Sequence, residues 1–215
     1  MDEGSILRAT LVVLERVWVA SLLGAGLMAV GAGAGWAMAV HEQAAPVRFV
    51  SWWVDRWMWP RLRRASGVKR ALMIYLNNMT ILAVLIFLGR WHAASLAAVA
   101  AVGVSMGIGL RILARRDDAL APDGSPSDAA SVRRMRLGLA LNLLEPPVIV
   151  LALGLSLHRS VALLDPFEVW ATVAVWIAPT MLVAAAGESL WMGVAFRARE
   201  RAGVESERHG PPSGE

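Results

Sequence analysis

The sequence predicts an all-α fold in the form of a polytopic integral membrane helical bundle, and three observations predict it. The 215 residues are 57% hydrophobic and only 18% charged, where a soluble domain carries roughly 25% charged residues. The apolar residues gather into about five runs long enough to cross roughly 30 Å of hydrocarbon, and the basic residues between those runs favour one side. Zero cysteines exclude disulfide scaffolds, thiolate nucleophiles, iron–sulfur clusters and Cys-based zinc sites.

Taken in order, the spans are expected at about residues 17–40, 71–89, 92–110, 137–157 and 169–196. The first has no ionisable group and no basic segment of the signal-peptide kind before it, so it reads as a retained anchor. The fourth is interrupted by Glu145 and the fifth by Glu188. Residues 1–198 thus form a single transmembrane domain, and residues 199–215, polar and Gly- and Pro-containing, read as a disordered cytoplasmic tail. Of the 21 Lys and Arg, four (Arg8, Arg16, Arg90 and Arg159) fall on one side of this arrangement and 17 on the other. Cytoplasmic segments carry the basic excess, which places the N-terminus outside and the C-terminus in the cytoplasm of a multi-pass cell-membrane protein.

Residues 47–64 combine Trp52, Trp53, Trp57 and Trp59 with interleaved arginines. That pattern suits an amphipathic helix lying in the headgroup zone, with the tryptophans as interfacial anchors. Flanking spans tether the segment to the bilayer, so nucleic acid is not an expected partner; a docking role toward a cytoplasmic protein is the sharper alternative. Residues 119–131, with two Pro, a Gly, Ser and Asp, read as a linker. Gly31 and Gly35 in the first span and Gly103 and Gly107 in the third have the spacing that lets helix backbones approach closely, either within the chain or between subunits of a homo-oligomer.

The candidate site is the set of polar residues inside the spans: Asn77, Asn78, Asn142, Glu145 and Glu188. Ionisable groups there cost about 2.5–3.5 kcal/mol each on insertion scales and face a bundle interior or a cavity. Pro146 and Pro147 remove two amide donors and are expected to break the fourth helix at Glu145-Pro146-Pro147. The freed carbonyls then need partners, and the asparagines or a protonated glutamate can supply them. The cluster admits three roles: interhelical hydrogen bonding, a transport or proton-relay site on a broken helix, and an intramembrane hydrolase. The last has no activated nucleophile, metal motif or nearby histidine behind it, so no catalytic residue, cofactor or metal is expected and the protein is read as not an enzyme.

The stretch IYLNNMTILAVLIFLG from Ile74 to Gly89 resembles the paired-Asn helix of the stage II sporulation protein M family. LLEPPVIVLALGLSL from Leu143 to Leu157 resembles that family's Glu-Leu-Pro-Ala segment, with Glu145, Pro147 and Gly154 at matching positions, and Ala184 to Glu188 is similar to its Ala-Ala-x-x-Glu ending. The family's proline-His-Gly before the Glu helix is absent, Pro146 stands where Leu is usual, and Ser105 to Gly109 replaces an Asn-Gly in the third span. The resemblance implies a divergent member: a non-enzymatic membrane scaffold that anchors partner proteins of the membrane or cell envelope, which in sporulating relatives are the peptidoglycan hydrolases of engulfment. The alternative is the membrane subunit of a transporter, with a polar path at Glu145 and Glu188 and cytoplasmic machinery engaging the Trp-rich segment.

Overall fold

The computed structural model describes residues 3–118, 129–142, 144–161 and 164–208, and these are helical apart from short connections. The helices are α1 (Glu3–Met38), α2 (Ala45–Trp53), α3 (Trp59–Arg64), α4 (Gly67–Leu88), α5 (His92–Asp118), α6 (Ala129–Asn142), α7 (Glu145–Val161), α8 (Pro166–Thr172) and α9 (Ala178–Arg208). Among the described residues, four helical stretches are long and apolar enough to cross a membrane: Ile6–Met38, Gly67–Leu88, His92–Ile112 and Pro166–Arg197. Their outer faces carry large apolar side chains, Leu22, Leu23 and Val30 among them, each more than half exposed. A water-soluble monomer does not display such a surface; lipid accommodates it.

Several expectations are corrected. The helix that carries the first span extends well before the expected span, starting at Glu3, because Glu15 and Arg16 are good helix formers that bound an apolar run without ending a helix. Residues 137–157, expected as a span interrupted at Glu145-Pro146-Pro147, are not among the four span-length stretches; α6 stops at Asn142 and α7 starts at Glu145. Of the expected linker, residues 119–128 lie outside the described residues, while Ala129–Ser131 already belong to α6. α9 continues through Arg208 where a disordered tail is expected from residue 199. From Thr180 to His209 the sequence contains no proline, and polarity alone does not stop a helix built of Arg, Glu and Ala. Residues 209–215 lie outside the description.

Two prolines are absorbed without breaking a helix. α2 passes into α3 through a π-helical turn at Val54–Met58, in which the Trp59 N–H donates to the Val54 carbonyl five residues back. α8 passes into α9 through a second π turn at Val173–Ile177, with the Ala178 N–H donating to Val173. Pro60 and Pro179 come immediately after these bonds. A proline ring collides with the carbonyl four residues before it, here Arg56 and Val175, and the wider π turn moves that carbonyl aside. The Trp-rich segment is therefore one helical rod over residues 45–64, two residues longer than expected at its start.

α1 packs along α5 and α7, and α9 along α4 and α6. The α1–α5 contact is made by the four predicted glycines. A Cβ on Gly31 would meet the Ala100 carbonyl oxygen at 2.8 Å, one on Gly35 would press on the Val104 main chain, one on Gly103 on Met28, and one on Gly107 on Ala32. These glycines are used inside the chain. The α1–α7 contact repeats the device with Gly24 against Leu153 and Gly154 against Ser21, whereas Gly26 and Gly33 face open space. Gly35→Ala or Gly107→Ala is expected to destabilise the protein by about 1–3 kcal/mol through overpacking, while Gly33→Ala is neutral or slightly stabilising. Thermal unfolding in detergent checks both, and equal effects at the two kinds of site would contradict the packing.

Candidate functional site

Four of the predicted polar residues, Asn77, Asn78, Glu145 and Glu188, come together where α4, α7 and α9 meet. The Asn77 amide Nδ2 donates to Asn78 Oδ1 at 3.3 Å, and Asn78 Nδ2 donates to Glu145 Oε1 at 3.0 Å and lies 3.8 Å from the Met181 sulfur. Glu145 is the first residue of α7, with Pro146 and Pro147 in the first turn. Proline suits that turn, because its missing N–H has no intrahelical acceptor there and its φ is already helical. The side chain of the helix-opening residue is thereby aimed at the middle of α4. Asn142 is the last residue of α6, and its side chain lies outside the description.

Glu188 is placed differently. Its carboxyl has neither hydrogen bond nor ion pair among the described residues. It lines a cavity of about 100 Å³ together with Asn77, Asn78, Trp53, Trp57 and Arg61. Met58, Met73, Ile74, Leu62 and Met192 supply its apolar wall. The Trp-rich rod thus lies against the polar cluster. Two predicted features that the sequence keeps apart, anchor and buried carboxylate, border one space.

The tryptophans divide between two tasks. Trp52 is 56% exposed and Trp57 47% exposed, while the rod packs inward through Val47, Val54 and Leu62. Trp53 stacks on Trp57 with ring centroids 6.1 Å apart, and the Arg61 guanidinium lies 3.9 Å over the Trp57 ring. Trp59 instead turns into the bundle and meets the edge of Phe196 at 5.1 Å. That contact joins the rod to α9 close to the end of its apolar stretch.

Arg70 carries a role that counting loop charges does not disclose. Only 7% exposed, it donates from Nε to the Leu62 carbonyl at 2.8 Å, from Nη2 to Ala65 at 2.9 Å and from Nη1 to Ser189 at 3.2 Å. Its guanidinium also sits 5.0 Å from the Phe196 ring centroid. One side chain therefore satisfies the carbonyl end of α3 and ties it to α4 and α9, and the Ser189 hydroxyl adds a 2.7 Å bond to the Gly67 carbonyl. The acceptors are main-chain groups up to 119 residues away, so no local motif marks the residue. A second unforeseen network lies at the opposite end of α4, where the Ser156 hydroxyl donates to the Leu85 carbonyl at 2.7 Å and pairs with Ser95 at 2.7 Å. No group of three or more His, Asp or Glu suited to a metal occurs among the described residues.

The class that fold and site define is accordingly a multi-pass helical membrane protein with a polar cluster between its helices. The chain matches no family model, no curated protein and no solved structure.

Arg70→Ala is expected to lower stability by about 2–3 kcal/mol, because charge-assisted hydrogen bonds are lost and buried carbonyls are left unpaired. Arg70→Lys should recover only part of it, since one ammonium cannot span three divergent carbonyls. Glu145→Ala should cost about 1 kcal/mol, the scale of an interhelical hydrogen bond in a membrane, and Glu145→Gln should cost less because it keeps an acceptor for Asn78. Denaturant titration in mixed micelles reads all four, and an Arg70→Ala variant as stable as the wild type would remove the tie from the account.

Proposed function

We propose that the chain is the membrane subunit of a transport assembly, with Glu188 as the ionisable group of an intramembrane polar site and residues 45–64 as the element joining that site to a cytoplasmic partner. One observation carries this reading: Glu188 faces a cavity without a hydrogen bond among the described residues, directly beneath a rod bearing Arg61 and Trp57. A carboxyl kept only for packing finds a partner on a neighbouring helix, as Glu145 does with Asn78. An ionisable group beside a space has somewhere to exchange a proton or take an ion.

In this reading α6 and α7 together make a fifth, interrupted crossing. Their contacts support it, since they advance along the bundle: Gly138 lies against Gly187 and Trp191, Glu145 reaches Asn78, and Ser156 reaches Leu85 near the far end of α4. Half-helices that meet near the midplane present their ends to a site. An odd number of crossings then puts the termini on opposite sides, N-terminus outside by the distribution of basic residues.

A scaffold that anchors cell-envelope partners is the second reading, and the motif likeness at Asn77-Asn78, Glu145 to Gly154 and Ala184 to Glu188 favours it. The glycine faces at Gly31, Gly35, Gly103 and Gly107 that would hold such partners are filled within the chain, which is why transport stands first.

The readings part at two measurements. In cells lacking the chromosomal gene, Glu188→Gln should accumulate and unfold like the wild type yet fail to complement, while Glu145→Gln complements; full complementation by Glu188→Gln would sink the transport reading. Purification in mild detergent should bring down a nucleotide-hydrolysing subunit, dependent on the Trp-rich rod, whereas recovery of peptidoglycan hydrolases instead would establish the scaffold. For topology, the absence of native cysteines makes single-cysteine labelling clean. A cysteine at Ser5 should react with an impermeant reagent in intact cells and one at Ser125 should be protected, the reverse pattern overturning the orientation.

A further inference from the structure

A second concave surface lies at the basic end of the bundle, away from the Glu188 cavity. It is an open groove of about 580 Å³ between the start of α4, α6 and α9, lined by Arg70, Arg134, Arg197, Ser66, Val68 and Leu190. Arg70 forms its floor. Gly193 leaves room there, since a Cβ at that position would come within 2.9 Å of Arg70 Nη1.

The side chains described in this groove carry positive charge only. Among the described residues no ion pair is seen at Arg70, Arg134 or Arg197, and no carboxylate lines the groove. Arg197 is close enough to Arg70 for their charges to repel. Arg70 donates to three main-chain carbonyls, which leaves two of the five N–H donors of a guanidinium unassigned. The first turn of α4 adds to the same field: its N-cap, Ser66, makes no side-chain capping bond, so the amides that open the helix lack that partner and present the positive end of its dipole.

The groove also sits at a defined depth. Gly67 opens one apolar span and Arg197 is the first charged residue after the apolar run 169–196, followed by Arg199, Glu200 and Arg201, so the arginines occupy the level at which hydrocarbon gives way to headgroups. Apolar surface continues beside them, with Val68 84% exposed and Leu190 40% exposed. Positive charge at headgroup level with an apolar wall alongside is complementary to a phosphate that carries acyl chains.

We propose that this groove binds the headgroup of an anionic phospholipid, with its phosphate held by Arg134, Arg197 and the floor of Arg70 and an acyl chain running along Val68 and Leu190. The bound lipid places one negative charge among the three arginines, which lowers their mutual repulsion, and bridges α4, α6 and α9. The site stands apart from the transport reading, because it uses neither Glu188 nor the Trp-rich rod.

The test uses the full chain, purified in detergent and titrated with phosphatidylglycerol or phosphatidylcholine while bound lipid is counted by native mass spectrometry. Phosphatidylglycerol should bind at least about tenfold more tightly. Arg134 and Arg197 are both exposed, so the double variant Arg134→Gln/Arg197→Gln should keep the wild-type fold by circular dichroism and lose about tenfold or more in affinity, the effect of removing two basic groups near an anionic surface. The control Arg48→Gln/Arg56→Gln removes the same charge from the same side outside the groove and should stay within about twofold of wild type. Arg197→Lys should weaken binding less than Arg197→Gln, because it keeps the charge and gives up only the forked geometry. Equal losses in the test and control pairs, or equal binding of the two lipids, would overturn the site. A delipidated protein stabilised as strongly by inorganic phosphate as by phosphatidylglycerol would overturn its assignment to lipid.

Discussion

Within hydrocarbon there is no water to satisfy a polar group, and every donor, acceptor or charge placed there must be answered by another part of the chain. Most of this structure can be read as the set of answers. The Asn78 amide answers the Glu145 carboxyl at the start of α7; the Ser156 hydroxyl answers the Leu85 carbonyl where α4 ends; Arg70 answers three carbonyls where the Trp-rich rod gives way to α4. Each of these joins residues that are distant in the chain, so satisfying the backbone and assembling the bundle are the same event. Removing one partner leaves the other buried without compensation, which is why such pairs hold helices that apolar contacts alone would let slide.

The same requirement explains how the prolines are handled. An isolated proline deprives a helix of one amide and crowds one carbonyl, and at Pro60 and Pro179 a single π turn upstream absorbs both effects. At Pro146-Pro147 two amides are missing in succession, and both prolines fall in the first turn of α7, where those amides have no intrahelical acceptor. The result has use as well as cost. The new helix opens with Glu145, and its position against Asn78 follows from the restart at that point rather than from the residue type alone.

Glu188 is the exception to the general pattern, and the functional reading rests on that contrast. Two carboxyls of like chemistry lie in the apolar part of the chain; one is hydrogen-bonded across helices and the other borders a cavity beneath an aromatic and basic rod. The rod packs on the bundle through Trp59, which meets Phe196, and Phe196 in turn lies beside Arg70. Movement of the rod would therefore be felt at the cavity and at the start of α4 together. That linkage is the physical basis for treating residues 45–64 as more than an anchor, and it leaves the arginine-lined groove on another face of α9 free for a different ligand.

Composition and the spacing of charge were enough to establish the class, since an excess of apolar residues in runs of membrane length leaves few alternatives. The glycine spacing likewise announced close packing at Gly31, Gly35, Gly103 and Gly107, and the intramembrane Asn and Glu residues were legible because polar groups are conspicuous in an apolar background. What the sequence could not say was which glycine faced which helix, that α9 continues through Arg208, or that Arg70 is a buried tie rather than one more loop charge. Those depend on main-chain carbonyls, which every residue has and no motif marks. It also could not distinguish Glu145 from Glu188. The difference between them is whether a hydrogen-bond donor or an empty space lies opposite, and only the packing of α4, α7, α9 and the Trp-rich rod against one another decides that.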